Sequence, residues 1–318
     1  MPIPSKKRNR WWRRAVAFGL LLLAVVLWNG WAERHPQQER DLRVQLQEEL
    51  EDRFPEAMQP DADRYGIFPR AAGAGQPRPL RVLLVHGLDE PGSIWADLEP
   101  ALGAAGFDAW AFRYPNDQGI DRSADLLAAH WPDLPADRPL VLIGHSMGGL
   151  VIRDFVSRWR HPAAEPPRVE GAAVRGVILA GTPNQGSDWA RLRVLLEPRD
   201  QWAAGRQSGF SPLAGLQDGT GAAKIDLQPG SAFLAELNAR PWPQGVPVRI
   251  IGGLLLASAP ALGDGVVAMD ALSVPGAPPP ILVTASHRGM LARLLDSDGE
   301  PPAIPVILTL LEELGGSE

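Results

Sequence analysis

From Leu80 onward the chain reads as short, continuously apolar runs alternating with longer segments whose apolar residues recur at helical spacing. The runs are Leu80 to Val85, Phe107 to Phe112, Leu140 to Gly144, Val174 to Ala180, Val248 to Gly252 and Ile281 to Thr284. They lack the in-and-out alternation of a half-exposed strand, and so predict strands buried on both faces. Ser93 to Ala105, Ile120 to Trp131, Met147 to Trp159 and Ala303 to Leu314 predict helices between and after them. Alternation of this kind predicts an α/β fold: a mostly parallel sheet with helices on both faces. Right-handed crossovers and a functional site at the carboxyl ends of the strands follow from that architecture.

Before Leu80 the pattern is different. Residues 15–32 contain no charged side chain. As a helix they rise about 27 Å, close to the roughly 30 Å hydrocarbon core of a bilayer. Lys6, Lys7, Arg8, Arg10, Arg13 and Arg14 precede the run, and Trp11, Trp12, Trp28 and Trp31 stand near its two ends. Residues 1–36 therefore read as a basic amino terminus and a transmembrane helix, with the amino terminus cytoplasmic and the body periplasmic or extracytoplasmic. The other reading is a cleaved signal peptide, with Gly30-Trp31-Ala32 as processing site and a secreted product. Either reading exports the body.

Residues 37–79 read as a stalk and a linker. Gln37 to Phe54 is heavily charged with Leu42, Val44, Leu46 and Leu50 interspersed, which predicts an exposed amphipathic helix. Asp61 to Pro79 is rich in Ala, Gly and Pro, and the folded domain is expected over residues 80–318. One stretch interrupts its rhythm, an insertion at about 185–246. So long a connection is usually functional. Trp189, Leu192, Leu195, Leu196, Trp202, Phe210, Leu213 and Leu216 would suit either a cap over an apolar site or an ordinary packing subdomain.

Composition narrows the chemistry. The chain has no cysteine, which excludes disulfides, zinc–thiolate sites and a cysteine nucleophile. Six of the 31 Lys and Arg fall within residues 1–14, so the rest carries 25 basic against 37 acidic side chains. An acidic body argues against a nucleic-acid partner.

Candidate chemistry centres on Gly144-His145-Ser146-Met147-Gly148, where the third strand run gives way to a helical pattern. A strand that turns directly into a helix on a serine strains the backbone there. Gly144 and Gly148 remove the Cβ atoms that would collide. Ser146 is thereby held up at the carboxyl edge of the sheet as a nucleophile.

A serine hydroxyl needs a base. His35 lies in the stalk and His130 at a helix exit. His145 should point away along the turn, and His161 ends the helix that Ser146 begins, about 20 Å away. His86 ends the first strand. His287, directly after the last strand, is left as the base. An acid is expected between the two in sequence. Asp264, in Gly263-Asp264-Gly265, is preferred for its flexible neighbours; Asp270 in the same loop is the rival, and Asp226 and Asp188 belong to the insertion. The oxyanion would be met by the backbone N–H of Met147 and of Leu88, with His86 and Gly87 shaping the second loop. No metal or cofactor is called for.

These segments resemble the α/β-hydrolase lipases and esterases: Gly144-His145-Ser146-Met147-Gly148-Gly149, His86-Gly87, Gly181-Thr182-Pro183-Asn184-Gln185-Gly186-Ser187, Gly263-Asp264-Gly265-Val266-Val267 and Ala285-Ser286-His287. The likeness is to bacterial triacylglycerol lipases and to hydrolases that deacylate glycosylphosphatidylinositol. Asp226-Leu227-Gln228-Pro229-Gly230-Ser231-Ala232-Phe233-Leu234 also resembles a segment of that group, placed before its acid residue. The resemblance covers roughly residues 80 to 310. It implies an α/β-hydrolase fold, Ser146 as nucleophile, Asp264 as acid, His287 as base, and a lipid or acyl-ester substrate. A departure is Asp89-Glu90, where many lipases carry small or apolar residues. Thioesters and lipid-linked acyl groups are variants of the same chemistry. A membrane-tethered binding partner that keeps the fold without activity is the expectation from a different class.

Overall fold

The computed structural model describes residues 5–58, 64–75, 78–88, 92–189, 217–293 and 299–316. Helix α1 (Ser5–Ala32) is followed closely by α2 (Pro36–Arg53) and the single turn α3 (Pro55–Met58). Strand β1 (Gly66–Ala71) leads into β2 (Arg81–Val85), α4 (Leu98–Ala104), β3 (Ala109–Arg113) and α5 (Ile120–His130). Then come β4 (Leu140–His145), α6 (Met147–Phe155) and β5 (Val174–Ala180). After them stand α7 (Ala222–Asp226), α8 (Ala232–Ala239), β6 (Val248–Gly253), β7 (Ile281–Val283) and α9 (Ala303–Gly316).

The strands form one sheet in the order β1-β3-β2-β4-β5-β6-β7. Every pairing is parallel except that of β1 with β3. Successive residues of the central strands feed two separate cores. Val82, Leu84, Val141, Ile143, Ile178 and Ala180 pack with α4 and α9 on one face. Leu83, Val85, Leu142, Val177 and Leu179 pack with α5, α6 and α8 on the other. That is why these strands are apolar throughout rather than alternating.

Two expectations are corrected. The stretch read as a linker contains β1, which extends the sheet at its edge. Pro69 lies within it, and the register shifts between Pro69 and Ala71. A proline donates no ladder hydrogen bond, so it is tolerated on an edge strand but disguises that strand in the sequence.

The second correction concerns the exposed stalk helix. Helix α2 is docked on the body: Arg40 Nε donates to Asp226 Oδ1 at 2.5 Å, and Arg40 Nη2 to Asp121 Oδ1 at 2.6 Å. Thr220 Oγ1 donates to the Arg43 carbonyl at 2.6 Å, and Arg122 Nη2 to Glu51 at 3.1 Å. Glu39 and Gln47, polar in sequence, are buried here.

Asp226 is itself buried and accepts a further bond from the Ile120 N–H at 3.0 Å. Arg40→Leu would leave this carboxylate without its guanidinium. The expected result is a loss of about 3–5 kcal/mol in chemical denaturation of the full chain in detergent. A loss under about 1 kcal/mol, as for a surface pair, would show that α2 is only loosely attached.

Of the insertion, α7 and α8 are formed, whereas residues 190–216 lie outside the described residues. The expectation of a cap from Leu192, Leu195, Leu196, Trp202, Phe210, Leu213 and Leu216 falls on them. Helix α1 presents Phe18, Leu21, Val26 and Leu27 exposed, and its Trp11–Ala32 part is long and apolar enough to cross a membrane.

Candidate active site

The carboxyl edge of the sheet gathers four loops. Strand β4 ends at His145 and α6 begins at Met147, so Ser146 alone makes the turn. Its backbone has φ 54° and ψ −130°, a region that costs a residue with a Cβ of order 1–3 kcal/mol. The surroundings hold it there: Ser146 N–H donates to the Ala180 carbonyl at 2.9 Å, and Gly149 N–H to the Ser146 carbonyl at 3.0 Å. Gly148 has to be glycine, since a Cβ there would lie 2.1 Å from the Val85 carbonyl oxygen. A Cβ on Gly144 would lie 2.6 Å from the Gly149 backbone. The tight elbow expected from sequence is thus formed, and the serine is partly exposed while its neighbours are buried.

The loop after β2 crosses directly over this serine. A Cβ on Gly87 would sit 2.8 Å from Ser146 Cβ and 3.3 Å from Oγ, so only glycine lets the chain pass. His86 supports the loop from beneath. It is buried, its ring stacks on Tyr114 at 4.5 Å, and the Tyr114 hydroxyl donates to the His86 carbonyl at 2.6 Å. Leu88 follows within the same loop. Asp89 and Glu90 lie outside the described residues. Met147 is the first residue of α6, where a backbone N–H has no carbonyl four residues back inside the helix.

The third loop, after β6, carries Asp264. Its Oδ1 accepts from the N–H groups of Val266 at 2.9 Å and Val267 at 2.8 Å. Its Oδ2 lies 2.7 Å from His287 Nδ1; a carboxylate only accepts, so Nδ1 donates. Burial alone would raise the Asp264 carboxyl. The His287 hydrogen bond and charge, with the two backbone N–H groups, outweigh that and hold it below the usual carboxylate range.

The fourth loop, after β7, carries His287. It continues in turns through Leu291. The His287 N–H donates to the Asp264 carbonyl at 2.9 Å, which doubles the link between the two loops. A Cβ on Gly181 would lie 3.2 Å from the imidazole, and Gly181 follows the Ala180 whose carbonyl holds Ser146. The elbow and the imidazole therefore meet over the end of β5.

The rival residues are elsewhere. Asp270 is exposed, inside a short 3₁₀ turn Met269–Leu272, and Asp188 is exposed too. Asp226 is taken by Arg40. His35 Nδ1 bonds the Trp31 carbonyl and His130 Nδ1 bonds Asp133. His145 differs from expectation. It does not point away: its ring lies 4.7 Å from that of His287, and Nε2 donates to the His287 carbonyl at 3.1 Å. Nothing in the sequence indicates that contact, because it depends on how the last loop folds back over the elbow.

A carboxylate that fixes an imidazole through Nδ1–H leaves Nε2 to accept a proton, and the strained Ser146 is bonded to Ala180, next to the Gly181 that lies against that imidazole. The arrangement suits acyl transfer.

Comparison with known proteins bears on the family and the fold. The profile of an alpha/beta hydrolase family matches residues 82–291. Lipase LipV of Mycobacterium tuberculosis is 36% identical over 133 residues, which are 39% of this chain and 44% of that protein. The match thus spans less than half the length of that relative. Among solved structures, the mature form of the Bacillus licheniformis lipase BlEst2 superposes with a TM-score of 0.56 at 19% identity, covering 77% of this chain and 97% of that one. The metagenomic carboxyl esterase MGS0156 gives 0.57 at 19%, covering 86% and 91%. At such identities the structural likeness is one of fold.

Proposed function

Because the chain belongs to the alpha/beta hydrolase family, we propose that it is a serine hydrolase of carboxylic esters, lipase- or esterase-like, with a lipid-like acyl ester as substrate. The observation that carries the reading is the 2.7 Å Asp264–His287 pair, whose imidazole lies against Gly181, next to the Ala180 that holds the strained Ser146. In the mechanism, Ser146 Oγ attacks the ester carbonyl carbon as its proton passes to His287 Nε2. The N–H groups of Met147 and Leu88 receive the oxyanion. The alkoxide leaves with the proton from His287, and an acyl-enzyme remains on Ser146. Water then attacks that ester, gives its proton to His287, and the carboxylic acid departs as Ser146 recovers its hydrogen. Asp264 stays ionised throughout and stabilises the imidazolium.

The place of action is the second part of the proposal. The Trp11–Ala32 span and the six basic residues among the first fourteen support a chain anchored with its hydrolase outside the cytoplasm.

One experiment tests both parts. The full chain in detergent is treated with a fluorophosphonate probe and assayed on p-nitrophenyl esters of graded chain length. Carbonate extraction of membranes from expressing cells is run beside it. Covalent labelling, turnover that rises beyond the shortest esters, and retention in the carbonate pellet are expected. A chain that neither labels nor turns over any ester is a fold-retaining binding partner instead. Faster turnover of thioesters than of oxygen esters would move the substrate class. A mature chain beginning near Glu33 would replace the anchor by a cleaved signal.

A further inference from the structure

Ser146 has a neighbour whose place the mechanism above leaves unused. His145 is the last residue of β4, fully buried, with the edge of Trp95 set against its ring at 6.4 Å and 83°. A buried histidine one residue from a nucleophile could simply fill space. Its hydrogen bond says more. Nε2 lies 3.1 Å from the carbonyl oxygen of His287, and since a carbonyl only accepts, Nε2 carries the proton.

We propose that His145 is a positioning residue for the reaction: it holds the backbone of the base to the strand that carries the nucleophile. The proposal rests on the triad reading above and adds a residue to it.

The argument is one of constraint. His287 sits in a run of turns, where no strand ladder or helix fixes its main chain. Two of its groups are tied to Asp264, the imidazole Nδ1 at 2.7 Å and the backbone N–H at 2.9 Å. Both ties fix the base relative to the acid loop, and neither relates it to Ser146. The His287 carbonyl is the third tie, and it runs to His145. From the nucleophile to the base the path is then one peptide bond, one imidazole and one hydrogen bond. All three are stiff, because the His145 ring is clamped between Trp95 and His287.

Proton transfer from Oγ to Nε2 depends on heavy-atom reach of about 2.6–3.2 Å. A displacement of order 1 Å from a remote change can cost about 100-fold. The dipeptide His145-Ser146 therefore supplies both the attacking atom and the brace that sets its distance from the base.

The test compares His145→Phe, His145→Gln and His145→Asn in the full chain in detergent. Phe keeps the ring without a donor. Gln places an amide N–H at about the reach of Nε2, whereas Asn is one methylene shorter. The measurements are kcat and KM on a p-nitrophenyl ester, the rate constant of fluorophosphonate labelling, and the melting temperature. We expect kcat and the labelling rate of the Phe and Asn variants to fall about 10- to 100-fold, with KM changed less than about threefold. Gln should restore both rates to within about threefold of the original chain.

A role in packing alone gives another pattern. The melting temperatures shift while folded protein keeps its kcat, or Gln fares no better than Asn. Either result overturns the proposal, and the Gln–Asn comparison stands even if the Phe variant does not fold. Ser146→Ala separates the two levels. If it labels as fast as the original chain, the serine-hydrolase reading has failed and this proposal with it. If Ser146→Ala is silent and the Asn variant is unimpaired, only the role of His145 has failed.

Discussion

Ser146→Ala is expected to remove ester hydrolysis by a factor of order 10⁴ to 10⁶ while the protein melts within a few degrees of the original. The two halves of that expectation come from different atoms. Activity depends on Oγ, which alone can form the acyl ester. Stability depends on the backbone at φ 54°, and alanine carries the same Cβ into that conformation. Ser146 is partly exposed, so the change removes one oxygen from a residue outside the packed core. Turnover of a p-nitrophenyl ester by purified chain, with fluorophosphonate labelling alongside, measures it. Residual activity within tenfold of the original would remove Ser146 from the mechanism.

Nearly as large an effect is expected from Asp264→Asn, about 10⁴ in turnover. Asparagine keeps the size and still accepts at one oxygen, but it can present an N–H to His287 Nδ1 and stabilise the wrong tautomer. Asp270→Asn is the matched control. Asp270 is exposed in its turn and its loss should leave turnover within about twofold. The reverse result would make Asp270 the acid.

A pH consequence accompanies this. Because Asp264 is held below its usual value when folded, its contribution to stability is full above the unfolded carboxyl pKa, roughly 3.9. That contribution is lost only as pH falls through the lower folded value. An activity loss between pH 5 and 7 therefore belongs to another group. Stability that fell as pH was lowered from 7 to 5 in the original chain but not in Asp264→Asn would show the assignment of its ionisation to be wrong.

How much of this was legible before the fold was known differs from residue to residue. The central strands announced themselves, because Leu140 to Gly144 and Val174 to Ala180 face apolar neighbours on both sides. The elbow was legible for a local reason: Gly144, Ser146 and Gly148 interact within one turn. Strand β1 was hidden by Gly66 and Pro69, which an edge position tolerates. Helix α2 looked exposed because its charges look solvated. The partner of Arg40 is Asp226, 186 residues away, and no local pattern reports such a pair. His145 was misjudged for a related reason, since its partner is a main-chain carbonyl 142 residues on. Contacts set by long-range closure leave no periodic trace.

The docking of α2 bears on reach. With the span in a bilayer as proposed, only residues 33–35 separate the end of α1 at Ala32 from a helix fastened to the body. Three residues extend at most about 10 Å. The domain is thus on a short leash, unable to sample the surrounding volume as a protein on a flexible arm would. Its encounters are governed by molecules per unit area of the same leaflet, and a water-soluble ester must diffuse to it. Lengthening the 33–35 segment with Gly and Ser would turn a surface reaction into one that also samples the adjacent solution.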